Sequence, residues 1–289
     1  MLKVFVDTDC DITPEFAKEN GFELISMPYI IGDKTIFPYK DFKVFNAEEY
    51  YNSLREGVLP KTCAINQEEY KAYFEPHFAN GDDIFYIHFS LSMSGTFNSM
   101  NLAVNELLEK YPGRKFYSFD TKGITTISYC LIQEFAKLYK QGNTAEEMIE
   151  WGHKNVDRYA IYFYAEDLKF FARSGRVSGF AGFFGNMIGI KPIIHMNENG
   201  QMVSISKARG TKNAIDKILG YVRELEDDIL NHKVYVANTG CINSAKAMIA
   251  ALKKEFGEGL DCEIVDVNPT AGAHCGPGCV GVCFHAKHR

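Results

Sequence analysis

The sequence predicts an α/β protein of two domains, residues 1–156 and 157–289. In the first half, short apolar runs alternate with segments of helical periodicity, as strands and helices do around a parallel sheet. In the second half this alternation is interrupted by a hairpin signal, which predicts a mixed sheet. A chain of 289 residues is also long enough to form two hydrophobic cores.

The first half begins with an apolar run at 2–8, which is typical of a buried parallel strand. Similar runs predict strands at 23–31, 83–90 and 114–120. The helices between them are indicated by residues that cap helix N-termini and by their periodicity. They are expected after Thr13-Pro14, from Asn46 to Arg55, after Asn66, from Ser94 to Tyr111, at 124–141 and at 144–158.

The second half opens with a predicted strand at 159–165. Asn199-Gly200 is the strongest turn signal in the chain and predicts a hairpin over 192–208. After the hairpin, the sequence again alternates between helical and strand patterns. It predicts a helix at 211–227, a strand at 233–238, a helix at 243–256 and a strand at 262–268.

Composition limits the class of protein. At 46% apolar and 24% charged residues, the chain has the make-up of a soluble globular protein. A net charge of −6 gives no basic footprint, so we expect no nucleic-acid partner. No apolar run reaches the roughly 18 residues of a membrane span. The first residues enter a strand directly, so we expect no signal peptide, a cytoplasmic location and reduced cysteines.

Polar clusters follow several predicted strands or precede helices. In parallel sheets, ligands bind at the carboxyl ends of strands, and helix N-termini suit anions. Each cluster alone is better explained by helix capping, but their recurrence favours a shared pocket. Ser94 is not in a Gly-x-Ser-x-Gly elbow, so no catalytic nucleophile is predicted. The clusters are Asp7-Thr8-Asp9, Lys61-Thr62-Cys63, Ser94-Gly95-Thr96 and Asp120-Thr121-Lys122.

A glycine-rich segment at 173–192 begins with Arg173 and Arg176. Its large apolar residues recur at helical spacing, which usually indicates core, but each interleaved glycine costs a helix about 1 kcal/mol. We therefore expect an apolar segment that lines a lipid ligand, with cations at its mouth, and that opens as a lid. The expected lining residues are Phe180, Phe183, Phe184, Met187 and Ile188.

The segment "AGAHCGPGCVGVCFHA" at 271–286 has two interpretations. In one, Cys275, Cys279 and Cys283 form a metal or redox site with the flanking histidines. In the other, a Gly-Pro-Gly turn presents His274 to a ligand and leads into a buried strand. The cysteine spacing fits structural zinc sites poorly, and free cysteine packs as a small hydrophobic residue. No metal site is predicted, and the metal or redox protein is kept as the alternative function.

Motifs along the whole chain, from about residue 3 to about residue 286, are in their order and spacing similar to those of the DegV family. Members of this family bind fatty acids and serve as binding subunits of bacterial fatty-acid kinase. The motifs are "VDTDCDIT" at 6–13, "KTCAIN" at 61–66, "LSMSGTFNS" at 91–99, "LKFFARSGRVS" at 168–178, "GIKPII" at 189–194, "KARGTKNA" at 207–214 and "HCGPG" at 274–278.

The resemblance implies a DegV-like fold: an N-terminal three-layer α/β/α domain, a C-terminal domain with a mixed sheet, and the ligand between them. It implies that Thr62, Ser94 and His274 bind the fatty-acid carboxyl group. Cys63 replaces the family's usual serine, and Ser174 and Cys275 are further departures. The supporting pocket is expected at Cys63, Gly95, Thr96 and Gly276, and partner contacts at Arg173, Arg176, Lys207 and Arg209.

The resemblance also implies a function. The protein is expected to take a long-chain fatty acid from a membrane surface during a transient contact. It would then present the carboxyl group to a fatty-acid kinase catalytic subunit, giving an acyl phosphate for phospholipid synthesis. The chain has no Gly-x₄-Gly-Lys-Ser/Thr phosphate loop, so we expect a carrier and not an enzyme. No cofactor is expected apart from the bound fatty acid.

Overall fold

The structure is a computed structural model that describes residues 1–178 and 189–289. Its strands are β1 (Leu2–Asp7), β2 (Phe22–Ile25), β3 (Tyr29–Ile31), β4 (Lys34–Ile36), β5 (Lys61–Thr62), β6 (Asp83–His88), β7 (Phe116–Asp120), β8 (Tyr159–Tyr164), β9 (Val177–Ser178), β10 (Ile190–Met196), β11 (Met202–Arg209), β12 (Val234–Asn238), β13 (Cys262–Asp266) and β14 (Val280–His285). Its helices are α1 (Pro14–Asn20), α2 (Ala47–Arg55), α3 (Gln67–Ala79), α4 (Thr96–Lys110), α5 (Thr126–Lys140), α6 (Ala145–Asn155), α7 (Leu168–Ser174), α8 (Gly210–Leu225), α9 (Ile242–Phe256) and α10 (Pro269–Cys275).

The first half contains the predicted parallel sheet, with strand order β2-β1-β6-β7. Adjacent residues of β6 point to opposite faces of this sheet. Tyr86 contacts Phe74 of α3 on one face, with ring centroids 6.2 Å apart, and Phe85 contacts Phe135 of α5 on the other, at 5.9 Å. Helices therefore cover both faces, which is the expected three-layer α/β/α arrangement.

The single strand predicted at 23–31 is wrong, because the chain leaves the parallel sheet after Ile25. The backbone N–H of Ser26 donates to the Tyr73 hydroxyl at 3.0 Å, and that of Met27 donates to the Thr8 hydroxyl at 2.9 Å. Pro28 has no N–H to donate. The chain then forms β3, which belongs to a small antiparallel sheet of order β4-β3-β5. This small sheet positions Thr62.

The second half forms a mixed sheet of order β13-β12-β14-β8-β10-β11-β9. Its two faces can be followed along β8. Tyr162 and Tyr164 pack in a core with α8 and α9, whereas Ile161 and Phe163 belong to the core shared with the first half. The hairpin over β10 and β11 is confirmed, and Gly200 adopts the left-handed φ of 70° that its turn requires.

Helix α5 lies between the two sheets. Its Phe135 contacts the parallel sheet, as described above, while Tyr129 makes an edge-to-face contact with Tyr235 of β12 at 5.4 Å. The Sγ atoms of Cys130 on α5 and Cys283 on β14 are 3.0 Å apart. The parallel sheet lies within residues 1–156 and the mixed sheet within 157–289. A domain boundary at residue 156 itself stays a prediction.

Candidate functional site

A cavity of about 1170 Å³, its open mouth included, lies between the carboxyl ends of β1 and β6 and the inner face of the mixed sheet. Most of its wall is apolar. The apolar lining side chains include Met27, Phe89, Met93, Ile124, Ile161, Phe163, Met196, Met202 and Val267. The polar and charged ones are Asp9, Thr62, Cys63, Ser94, Thr96, Thr125, Arg176, Thr239, Thr270, His274, Cys275 and Cys279.

The two lining residues Thr62 and His274 form a hydrogen-bonded pair. The Thr62 Oγ1 atom lies 3.0 Å from Nε2 of His274, and both side chains are partly buried. Thr62 comes from β5 and His274 from α10, so the pair joins the small antiparallel sheet to the end of the chain. It provides one hydroxyl and one imidazole at a single point of the cavity wall.

Helix α10 is held in place by contacts with the first half of the chain. Asn268 caps its N-terminus and also donates to Asp11 Oδ1 at 2.9 Å through both its backbone N–H and its side-chain amide. The Tyr50 hydroxyl donates to the carbonyl oxygen of Pro269 at 2.6 Å, and the Tyr51 hydroxyl to that of Val267 at 2.8 Å. These bonds fix the orientation in which His274 faces the cavity.

Gly276 ends α10 with a φ of 69°, a conformation that favours glycine. A Cβ atom at this position would lie 2.3 Å from the ring of Phe170 in α7. The expected role of Gly276 in the pocket is therefore indirect: it is not among the lining residues, but its lack of a side chain allows α7 and α10 to pack together.

The His274 imidazole is neutral at physiological pH. Burial, together with the smaller effect of the charges of Arg176 and Arg173, lowers its pKa to about 4. A neutral imidazole carries one N–H donor and one acceptor nitrogen. It is therefore suited to orienting a hydroxyl or carboxyl group.

Ser94-Gly95-Thr96 lines the same cavity at the N-terminus of α4. The Thr96 hydroxyl is used within the fold, where it accepts from the backbone N–H of Ile65 at 3.1 Å. Ser94 Oγ accepts from the Thr96 N–H at 3.2 Å. Within residues 1–178 and 189–289, Ser94 has no hydrogen bond to a histidine, so a nucleophile paired with a base is not formed.

The four basic residues that were expected to contact a partner lie in two separate places. Arg176 is exposed and lines the cavity at its mouth, and the exposed Arg173 donates to the carbonyl oxygen of Pro60 at 2.9 Å, beside β5. Lys207 and Arg209 are exposed on β11 and do not line the cavity. The expected chain-lining residues Phe180, Phe183, Phe184, Met187 and Ile188 lie outside the described residues.

The cysteines of the 271–286 segment do not converge. Cys279 Sγ lies 3.3 Å from the carbonyl oxygen of Cys275, whereas Cys283 pairs with Cys130 of α5. Cys279 and Cys283 do share the inner face of the mixed sheet, as their even spacing predicts. Among the described residues, no three His, Cys, Asp or Glu side chains are grouped so that they could hold a metal ion.

The sequence analysis did not identify several of the residues that line the cavity. The inner face of the mixed sheet supplies much of the apolar wall, through residues such as Ile161, Phe163 and Met196. The sequence showed that these side chains alternate along their strands, but it did not show which face of the sheet lies towards the cavity. Of the four polar clusters, three contribute lining residues; in the fourth, the Thr121 hydroxyl donates instead to the carbonyl oxygen of His88 at 2.9 Å.

No helix in the described part of the chain is long and apolar enough to cross a membrane. The cavity is built by residues of both halves of the chain and of the small antiparallel sheet. Its mostly apolar wall and the hydrogen-bonding groups of Thr62 and His274 are usual features of a pocket for a small molecule with one polar end.

Comparisons with known proteins agree with this architecture. A DegV domain-containing protein of Clostridium perfringens is 28% identical over 284 residues, which covers 97% of this chain and 96% of the relative. Among solved structures, a DegV family protein from Ruminococcus gnavus, refined with vaccenic acid, has a TM-score of 0.82 at 24% identity and covers 98% of this chain and 99% of its own. The Fatty Acid Kinase B3 protein of Streptococcus pneumoniae, loaded with linoleic acid, also has a TM-score of 0.82, at 18% identity, with 99% of both chains covered.

The fold of this chain is thus the one seen in these structures. The family model described as "Uncharacterised protein, DegV family" matches residues 1–287. The chain therefore belongs to the DegV family.

Proposed function

We propose that this protein binds one long-chain fatty acid in the cavity, with Thr62, Ser94 and His274 holding the carboxyl group. The observation that carries the proposal is the Thr62–His274 pair, 3.0 Å apart, in the wall of a cavity that is mostly apolar. Each buried methylene contributes about 0.8 kcal/mol, so the apolar wall supplies most of the affinity. The polar groups fix which end of the ligand faces the mouth.

The position of Arg176 supports a function in which the carboxyl group is presented to a partner. Arg176 is exposed, lines the cavity and lowers the pKa of His274 by its charge, so it lies close to the proposed carboxyl site. A carboxylate at this point is near solvent and next to a cation. We propose that a fatty-acid kinase catalytic subunit docks here, contacting Arg173, Arg176, Lys207 and Arg209.

In the proposed reaction, the carboxylate oxygen attacks the γ-phosphorus of ATP bound to the kinase, giving an acyl phosphate and ADP. This chain supplies binding and orientation and performs no chemistry of its own. Its own transient contact with a bacterial membrane surface would supply the fatty acid, and the product would enter phospholipid synthesis in the cytoplasm. The proposal is supported by the similar structures from Ruminococcus gnavus and Streptococcus pneumoniae, which hold vaccenic acid and linoleic acid. The second of these is a Fatty Acid Kinase B3 protein.

Reconstitution tests the proposal. The protein is mixed with a bacterial fatty-acid kinase catalytic subunit, ATP and oleate, and acyl phosphate is trapped with hydroxylamine. We expect hydroxamate only when both proteins are present, and much less of it with Arg209→Glu, while oleate binding by that variant persists because Arg209 does not line the cavity. Oleate binding without any acyl phosphate, with several catalytic subunits tried, would restrict the function to carriage alone.

A further inference from the structure

The hairpin between β10 and β11 supplies part of the cavity wall. Met196, the last residue of β10, and Met202, the first residue of β11, form a register pair, and both line the cavity. Both side chains are buried. We call residues 196–202, which comprise this pair and the turn between them, the hairpin tip. A displacement of the hairpin tip would therefore move two apolar side chains of the wall.

Two hydrogen bonds attach the hairpin tip to the segment that follows β6 in the first half of the chain. The Ser90 hydroxyl donates to the carbonyl oxygen of Gly200, and the Ser92 hydroxyl donates to that of Asn199, each at 2.8 Å. Phe89, which precedes the first of these serines, lines the cavity. This pair of bonds, here called the latch, thus joins two parts of the cavity wall that come from different halves of the chain.

Gly200 allows the hairpin tip to approach the first half of the chain closely. It is buried, whereas the preceding residue Asn199 is exposed. A Cβ atom at position 200 would clash with Oγ of Ser90 and would lie 3.1 Å from Cα of Lys122. The contact therefore has no room for one additional methyl group, so a side chain at this position would separate the two surfaces.

The base of the hairpin permits movement of its tip. Strand β8 pairs with β10 from Ile193 to His195, and among the described residues none beyond His195 in the hairpin is paired with β8. The register between β10 and β11 also shifts between Ile193 and Ile194. Such an irregularity disrupts the ladder locally and allows a strand to bend. Beyond this base, the short edge strand β9 pairs with Met202 and the next residue of β11.

We infer that the hairpin tip is a gate through which the acyl chain enters and leaves the cavity, and that Ser90 and Ser92 hold it closed. The inference rests on the proposed function, which it deepens by identifying the part of the wall that opens. The Ser92 and Asn199 ends of the latch are exposed, so water replaces their hydrogen bond when it breaks, and opening is inexpensive. A bound acyl chain that packs on Met196 and Met202 favours the closed position.

The test compares the rates of ligand exchange with the affinity. Delipidated full-length protein is loaded with cis-parinarate, a fluorescent fatty acid, and its release to excess albumin is followed by stopped-flow fluorescence. Loss of one neutral hydrogen bond in Ser92→Ala should raise the release and uptake rates about two- to tenfold and leave the Kd within about twofold. Gly200→Ala, whose methyl group displaces the hairpin tip, should raise both rates at least as much.

Two further variants make the comparison specific. Ser53→Ala on α2 is the matched control, because the Ser53 hydroxyl also donates to a backbone carbonyl oxygen, that of Tyr50 at 2.7 Å, but Ser53 does not line the cavity. It should exchange the ligand like wild type. The double variant Ser92→Cys with Asn199→Cys places two thiols at the latch. Its oxidation should slow release and uptake below the wild-type rates, and a reductant should restore them.

The outcomes separate this inference from the proposed function. If Ser92→Ala and Gly200→Ala exchange cis-parinarate at the wild-type rate, the inference is wrong and the chain passes elsewhere. If they release it faster only because the Kd rises in proportion, the latch stabilises the pocket and is not a gate, which also overturns the inference. If wild type binds neither cis-parinarate nor oleate, the proposed function fails and the inference fails with it.

Discussion

The hydroxyl of Thr62 lies 3.0 Å from Nε2 of His274, although 212 positions separate the two residues in the chain. The contact exists because β5 and α10 are brought to one point by the small antiparallel sheet and by the tyrosines of α2. A pair assembled from such distant segments gives the cavity a defined polar end. The account therefore makes its sharpest predictions there.

Removing either member of the pair should weaken fatty-acid binding. Thr62→Val removes the hydroxyl that faces the carboxyl, and His274→Gln replaces the imidazole by an amide of different geometry. We expect each to lose about 1–2 kcal/mol in binding free energy, or about five- to thirtyfold in Kd. Because the residues contact each other, the double variant should lose less than the sum. Titration calorimetry with oleate measures all three variants.

The matched control is His153→Gln. His153 is on α6 and does not line the cavity, so this variant should bind oleate like wild type. Additive losses would argue against a shared site.

The neutral state of His274 predicts a pH dependence of stability. Its pKa is about 4 in the folded protein and 6.5 when unfolded, so between these values the unfolded state binds more protons. This contribution is fully present above pH 6.5 and is lost as the pH falls towards 4, by up to about 3 kcal/mol. Urea unfolding of the ligand-free protein from pH 4 to 8 measures it.

Two buried carboxyl groups give the stability of the protein the opposite pH dependence. Burial raises the pKa of Asp7 to about 6 and that of Asp11 to about 7, so their contribution is present below the ordinary value of 3.8 and is lost as the pH rises through 6 and 7. The His274 contribution is therefore read from the difference between wild type and His274→Gln, in which the carboxyls cancel. Parallel stability curves for the two proteins between pH 4 and 6.5 would contradict a buried neutral imidazole.

Two glycine-to-alanine substitutions should have opposite effects. Gly276→Ala places a Cβ against the Phe170 ring at a left-handed φ, and we expect it to cost about 2 kcal/mol or more in unfolding free energy and to weaken oleate binding by shifting α10. Gly220 lies within α8 with open space around its Cα, so Gly220→Ala should stabilise by about 0.5–1 kcal/mol and leave binding unchanged. Denaturant titration compares them. Equal stability of both variants would show that the Phe170 contact is not rigid.

A bound fatty acid should protect Cys63 from alkylation. Cys63 is half-buried and lines the cavity, and burial raises its pKa, so its thiol should react slowly with iodoacetamide at pH 8.5. Cys262 on β13 is also half-buried but does not line the cavity, which makes it an internal control. Peptide mass spectrometry should show oleate slowing the reaction of Cys63 but not that of Cys262. Equal protection of both thiols would indicate general stabilisation and not occupancy of the cavity.

The sequence predicted best what is decided locally. The Asn199-Gly200 hairpin and the Asn66 capping box depend on neighbouring residues, and both are present. No helix was predicted at 269–275, although Asn268 and Pro269 are a helix-start signal, because a seven-residue helix containing Gly272 is stable only through its contacts with α2 and Asp11.

The candidate site was also predicted only in part, because it depends on contacts between distant segments of the chain. The motif resemblance located Thr62, Ser94 and His274, and the structure brings all three to one cavity. Asp9 was noted as a polar residue after a strand, but nothing local showed that it would lie at the cavity between the two sheets. That depends on how the two sheets meet around α5, which is a property of the packed structure.

Native mass spectrometry of the purified protein, before and after denaturation, tests the central claim most directly. The account predicts a mass increment equal to one long-chain fatty acid that is lost on denaturation, and uptake of one oleate per chain by delipidated protein. An increment matching a metal ion or cluster, or a bare chain that takes up no fatty acid even with excess oleate, would contradict it.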